Sequence, residues 1–264
     1  MIKIKWIIFV LIFILLLSMF SCRLQEKEET VSTNKLMEAI KNGQLEEVKS
    51  LINTGIKINK SNERGETPLM VAAKNENKKV VDLLINNGAD INVRNDYGLS
   101  ALMYAIEVWE LEIIKILIEN GADVNVSSKN WTPLMLAVSP GPQKNVEDML
   151  KVAKMLIKAG AEVNAMNEHG ENALLATSGY NIEVIKLLIG EGADVNKADN
   201  NGVTVLMHAA SINNTEVIKL LIDEGADINT SDKDGLTALD YAKDSVTSEE
   251  KKRCLKLLKK QVGK

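Results

Sequence analysis

The sequence predicts an all-α repeat solenoid, in which short helix-turn-helix pairs joined by hairpin-like turns stack in about seven units, the outermost two serving as caps. Three observations carry this. Leucines recur at Leu36, Leu69, Leu102, Leu134, Leu174, Leu206 and Leu239, mostly 32 or 33 residues apart. Two residues before each stands Asn34, Thr67, Ser100, Thr132, Asn172, Thr204 or Thr237, all types whose side-chain oxygen accepts from the free N–H groups of a first helical turn. A five-residue refrain then returns: GADIN from Gly88, GADVN from Gly121, GAEVN from Gly160, GADVN from Gly192 and GADIN from Gly225.

Within a unit the elements follow in order. The first helix starts at the capping residue, reinforced by Pro68 and Pro133, whose missing N–H costs nothing at the first helical position. A second helix follows, in EVIKLLI at 183–189 and again at 216–222, with EIIKILI at 112–118 and KVAKMLI at 151–157. Its apolar residues have helical spacing. It ends at the glycine of the refrain, where a left-handed residue stops a helix. The following Ala packs, the Val or Ile anchors the return segment, and the Asp and Asn bond backbone groups in the turn. Ten residues after the refrain glycine comes another turn glycine, Gly98, Gly170, Gly202 or Gly235. Aromatics are only 4% of a chain that is 45% hydrophobic, so the core must be built from small aliphatic faces, as stacked helices allow.

This pattern resembles the ankyrin repeat over residues 34–262, in units near 34–61, 62–94, 95–126, 127–166, 167–198, 199–231 and 232–262. The family's histidine after the leucine is replaced by Met37, Met70, Met103, Met135, Leu175, Met207 and Asp240, so the imidazole hydrogen bond is expected to be lost and thioether packing to stand in for it. Leu134 to Leu174 spans 40 residues, and the extra length falls in SPGPQKNVEDML, 139–150, between the two helices of that unit. It reads either as a tolerated surface loop or as a binding lobe.

Ahead of the repeats, Lys3 and Lys5 precede an apolar run from Trp6 to Phe20, which reads as a secretory signal in residues 1–22. The run is short against the roughly 20 residues of a membrane span, so an uncleaved helix is the weaker reading. Ser21-Cys22 at its end resembles the lipobox of bacterial lipoproteins, with Met19 where that family prefers Leu. The resemblance implies acylation of Cys22, palmitate included, and a lipoprotein on the periplasmic or cell-surface face of a bacterial envelope membrane. Residues 23–33 read as a polar tether reaching roughly 20 Å. Without residues 1–22 the chain has 30 basic and 36 acidic residues, a balance that disfavours nucleic acid as partner. An acylated Cys22 leaves Cys254 without an intrachain mate.

The sequence offers no catalytic constellation. There are two histidines, and no CxxC, HxxxH, GxSxG or phosphate-binding glycine motif. His208 reads as a packed helix residue and Cys254 as a small buried hydrophobe. Turn aspartates follow repeat phase rather than a calcium-loop spacing, so no metal and no cofactor is expected. The basic KKRCLKLLKK reads as a last capping helix with a solvated lysine face rather than a lipid binder. What the resemblance implies is a non-enzymatic, monomeric protein that binds another protein through hairpin tips and the concave first-helix face. Mapped onto the family's variable positions, the candidate contacts are Tyr97, Leu99, Trp131 and His169, with Trp109 nearby in the turn between helices and Tyr180 nearby in its unit. Leu99 and Trp131 share the slot after the turn glycine in adjacent units, with Asn130 in the glycine's place, and Glu66 and Glu171 occupy that slot on either side as a charged rim. Trp131 either centres this patch or packs under the 139–150 insertion. Alternatives to a scaffold are an immunity-type inhibitor of an envelope enzyme or toxin and a structural spacer.

Overall fold

The computed structural model describes residues 17–21, 23, 30–128, 130–141, 145–244 and 249–262. They fall into two compact units divided after Asp96. The first contains α1 (residues 30–41), α2 (Leu45–Asn53), α3 (Pro68–Lys74) and α4 (Lys78–Asn86). The second contains α5 (Ala101–Glu107), α6 (Leu111–Glu119), α7 (Pro133–Val138), α8 (Val146–Lys158), α9 (Ala173–Ala176), α10 (Ile182–Gly190), α11 (Val205–Ser211), α12 (Thr215–Asp223), α13 (Ala238–Asp244) and α14 (Glu249–Val262). Among the described residues the only β structure is two isolated antiparallel bridges, Ala198 with Thr204 and Ser231 with Thr237.

In the second unit, first helices pack on first helices, α5 on α7, α7 on α9, α9 on α11 and α11 on α13, while second helices form a parallel layer through α6, α8, α10, α12 and α14. The cause is in the sequence. First helices such as α5, ALMYAIE, are buried over six of seven residues and so lie between neighbours. Second helices such as α12 bury only Val217, Ile218 and Leu221, one stripe of an otherwise wet helix. The phase-marking leucines are buried in six units, and Leu239 in the last is half-buried. Each fully buried leucine contributes roughly 2 kcal/mol of transfer free energy.

The expected caps form at five starts. Thr67, Ser100, Thr132, Asn172 and Thr204 each accept from the backbone N–H three residues on. The thioethers also do more than pack, contrary to the expected loss of a hydrogen bond. Met70 Sδ accepts from the Thr67 N–H at 3.4 Å and Met207 Sδ from the Thr204 N–H at 3.5 Å, so sulfur closes the capping box where imidazole is missing. In the last unit the box is inverted: Asp240 Oδ2 accepts from both the Thr237 hydroxyl, at 2.7 Å, and its N–H. The Lys243 ammonium and these Thr237 donors hold the Asp240 carboxyl well below the usual carboxylate range.

Three expectations on boundaries change. Residues 30–33, placed in the tether, are helical and Thr33 is buried, so Asn34 lies inside α1 instead of capping it. The insertion is not wholly a loop. Asn145 accepts from the Asp148 N–H at 2.8 Å and starts α8, which runs 13 residues where α6, α10 and α12 run 9. Residues 146–149 are therefore an added helical turn, with Met149 buried. The refrain glycines behave as expected, with φ between 85° and 95° at Gly88, Gly121, Gly160, Gly192 and Gly225.

Candidate protein-binding surface

The hairpin turns between repeats carry four of the six candidate residues, and most of these turns are held by one side chain at their start. Asn167 Oδ1 accepts from the N–H groups of His169 and Glu171, Asp199 Oδ1 from those of Asn201 and Val203, and Asp232 Oδ1 from those of Asp234 and Leu236. Asn62 does the same for Arg64 and Glu66 in the first unit. These contacts hold the Asp232 carboxyl below its ordinary pKa, first through the Leu236 N–H and then through the Tyr241 hydroxyl at 2.8 Å. Burial, followed by that aspartate, pushes the Tyr241 phenol up to about 12. Ser128 takes the same place in its turn: its Oγ accepts from the Trp131 N–H at 3.1 Å and donates to the Trp131 carbonyl. Sequence reasoning missed this serine, although its alignment with Asn62, Asn167, Asp199 and Asp232 marks it.

Successive tips are fastened to one another. Asn167 Nδ2 donates to the Asn130 carbonyl at 2.7 Å, and His169 Nε2 lies 2.9 Å from Asn130 Oδ1. Asn200 donates its N–H to the His169 carbonyl at 2.8 Å and its Nδ2 to the Glu168 carbonyl, and the Lys233 N–H reaches the Asn201 carbonyl. The tip at Gly98 sits against the Ser128 turn so closely that a β-carbon would stand 3.3 Å from Ser128 Cα. That approach sets the hairpin of Tyr97 and Leu99 beside the hairpin of Trp131.

Of the six candidates, Tyr97 is 66% and Tyr180 53% exposed, His169 is exposed, and Leu99, Trp109 and Trp131 are half-buried. Tyr97, Leu99, Trp131 and His169 lie in the interlocked tips. Tyr180 lies after the short helix α9, and Trp109 sits in the inter-helix turn of its unit with φ of 61°, the slot that Gly43 fills in the first unit with φ of 66°. A bulky residue there carries backbone strain of about 1 kcal/mol or more. Glu66 does not form an exposed rim. It is buried, with Oε2 accepting from Asn62 Nδ2 at 2.9 Å and Oε1 3.6 Å from Lys74 Nζ. Glu171 is similarly drawn in, accepting from Asn167 Nδ2 at 2.7 Å. Both glutamates serve their own turns.

Among the described residues no cluster of His, Cys, Asp and Glu could hold a metal ion. Burial alone pushes the Cys254 thiol up to about 11, which keeps it a packed, unreactive group. No described helix is long and apolar enough to cross a membrane, and Cys22 lies outside the described residues.

The stacked helix pairs, their glycine-stopped second helices and the fastened tips together match a known family description. Ankyrin repeats in three-copy blocks are matched at residues 11–95, 36–128, 90–167 and 173–263. The chain belongs to the ankyrin-repeat family. Two solved ankyrin structures are similar to it in fold. The human ASB11 ankyrin repeat domain shares 24% identity over 84% of this chain and 96% of its own, with a TM-score of 0.70. The ankyrin repeat domain of Bcl-3, described as a unique member of the IkappaB protein family, shares 23% over 85% and 97%, with a TM-score of 0.68. No curated protein matches the sequence. Ankyrin repeat proteins act as protein-interaction scaffolds.

Proposed function

We propose that this ankyrin chain is a non-enzymatic scaffold that holds a protein client on the tips and first-helix face of its second unit, centred on Tyr97, Leu99 and Trp131. The observation that supports the reading is the adjacency of two hairpins that carry large apolar or aromatic side chains, Tyr97 and Leu99 in one and Trp131 in the next. Aromatic side chains anchored on rigid turns bury large area at small entropic cost, which is the character of binding hot spots. We further propose that acylated Cys22 tethers the scaffold at a bacterial envelope membrane.

Crosslinking in the native cell followed by mass spectrometry identifies the client. The change Tyr97→Ala with Trp131→Ala then lowers affinity by at least about 30-fold, equivalent to about 2 kcal/mol, while helical content is unchanged. Unaltered affinity would remove this patch. Recovery of no stoichiometric partner would leave the spacer reading in its place.

A further inference from the structure

We infer that the outer face of α14 is a docking surface for an anionic phospholipid bilayer. The helix carries six lysines and arginines against two glutamates, while the whole chain has a formal charge of −4, so the remainder carries −8. Lys252, Arg253, Lys256, Lys259 and Lys260 are all exposed, and Cys254 and Leu258 are fully buried on the opposite side. At 100° per residue the five cations fall within an arc of roughly 120° and along roughly 12 Å of helix. Only Lys252 is neutralised, by Glu249 at 2.6 Å; among the described residues Arg253, Lys256, Lys259 and Lys260 have no acidic partner. The other second helices mix their charges, as in α10 with Lys186 on Glu183 and α8 with Lys151 on Glu147.

Five cations spread along one convex helix face do not converge on a point, so a compact anion gains little from them. An extended anionic plane gains from the four unpaired cations at once. No large apolar side chain is exposed on the described face, so the contact is electrostatic rather than inserted. Choosing lipid over nucleic acid rests on the envelope reading of residues 1–22. The cation face itself does not.

The test is site-resolved lysine acetylation of the full chain, read by mass spectrometry with vesicles of phosphatidylcholine alone or mixed with phosphatidylglycerol. An apolar N-terminus binds both vesicle types and so cancels from the comparison. Lys252, Lys256, Lys259 and Lys260 should be acetylated at least about fivefold more slowly with the anionic vesicles, relative to Lys186 and Lys219, and high salt should abolish the difference. The triple change Lys256→Glu, Lys259→Glu and Lys260→Glu should erase it while thermal unfolding stays in place. Equal acetylation with both vesicle types would overturn the inference. Protection by duplex DNA and not by anionic vesicles would overturn it too, leaving the face as a nucleic-acid contact.

Discussion

Asn196 donates its Nδ2 to the carbonyl of Gly225 at 3.1 Å, reaching from one repeat into the refrain of the next. Its Oδ1 meanwhile accepts from the Asp227 N–H at 2.7 Å. Asn164 binds Gly192 and Asp194 in the same way, Asn125 binds Gly160 and Glu162, and Asn59 binds Gly88 and Asp90. The last letter of GADVN is therefore a clamp between neighbours. Asn196→Ala removes two exposed hydrogen bonds of about 1 kcal/mol net each, and urea unfolding should show a loss of about 1–2 kcal/mol. A loss below about 0.5 kcal/mol would mean that water replaces the clamp in full.

Asn172 is buried and spends its Oδ1 on the Leu175 N–H at 2.9 Å, but its Nδ2 finds no partner. Thr67, Thr132 and Thr204 cap the equivalent helices with a hydroxyl, which brings one rotatable donor in place of the two fixed donors of an amide. Asn172→Thr keeps the cap and deletes the orphan, so stability should rise by about 1 kcal/mol in thermal or urea melts.

Gly179 and Gly235 separate two costs of a β-carbon. Both have positive φ, 71° and 79°, but a β-carbon at Gly179 would stand 2.7 Å from the Ala209 backbone, while at Gly235 it meets nothing within 4 Å. Gly235→Ala should cost about 1 kcal/mol from backbone strain alone. Gly179→Ala should cost at least about 1 kcal/mol more, because α11 must retreat.

Burial lowers the pKa of His208, and Asp199 and Glu171 only partly oppose this. The unfolded chain then binds the proton more readily than the folded one. Stability from this group is present above the unfolded pKa of about 6.5 and falls as the pH drops through it. His208→Gln should flatten the stability profile between about pH 7 and 5, leaving the carboxylate-driven loss at lower pH. A profile identical to that of the parent would show that His208 is not the source.

Replacing Cys22 with Ser should release the protein from membranes into the aqueous phase of a detergent partition and abolish metabolic labelling with palmitate. Full retention in the detergent phase would make a spanning helix the better account of Trp6–Phe20.

The period, the caps and the refrain glycines were legible because each is a local demand: a free N–H to satisfy, a left-handed residue to stop a helix. The same logic placed Tyr97, Leu99 and Trp131 on neighbouring tips. What could not be read depended on contacts that only the closed fold makes. Glu66 looks like a surface charge until Asn62 and Lys74 close on it, and Asn196 gives no sign that its acceptor lies 29 residues ahead. The extra turn of α8 was hidden because Pro140 and Pro142 in the sequence argue against helix across the insertion, whereas Asn145 caps a new start within it.

That extra turn bears on how such an array tolerates change in length. Four added residues rotate a helix by only about 40° beyond a full circle, so the buried stripe of α8 re-enters alignment with α6 and α10 after a step of about 6 Å. Two residues inserted within α8 itself, between Ala153 and Leu156, would instead split that stripe and turn part of it toward solvent. Growth of this wall is thereby quantised: whole turns pass without disturbing the adjoining repeats, and fractions of a turn do not.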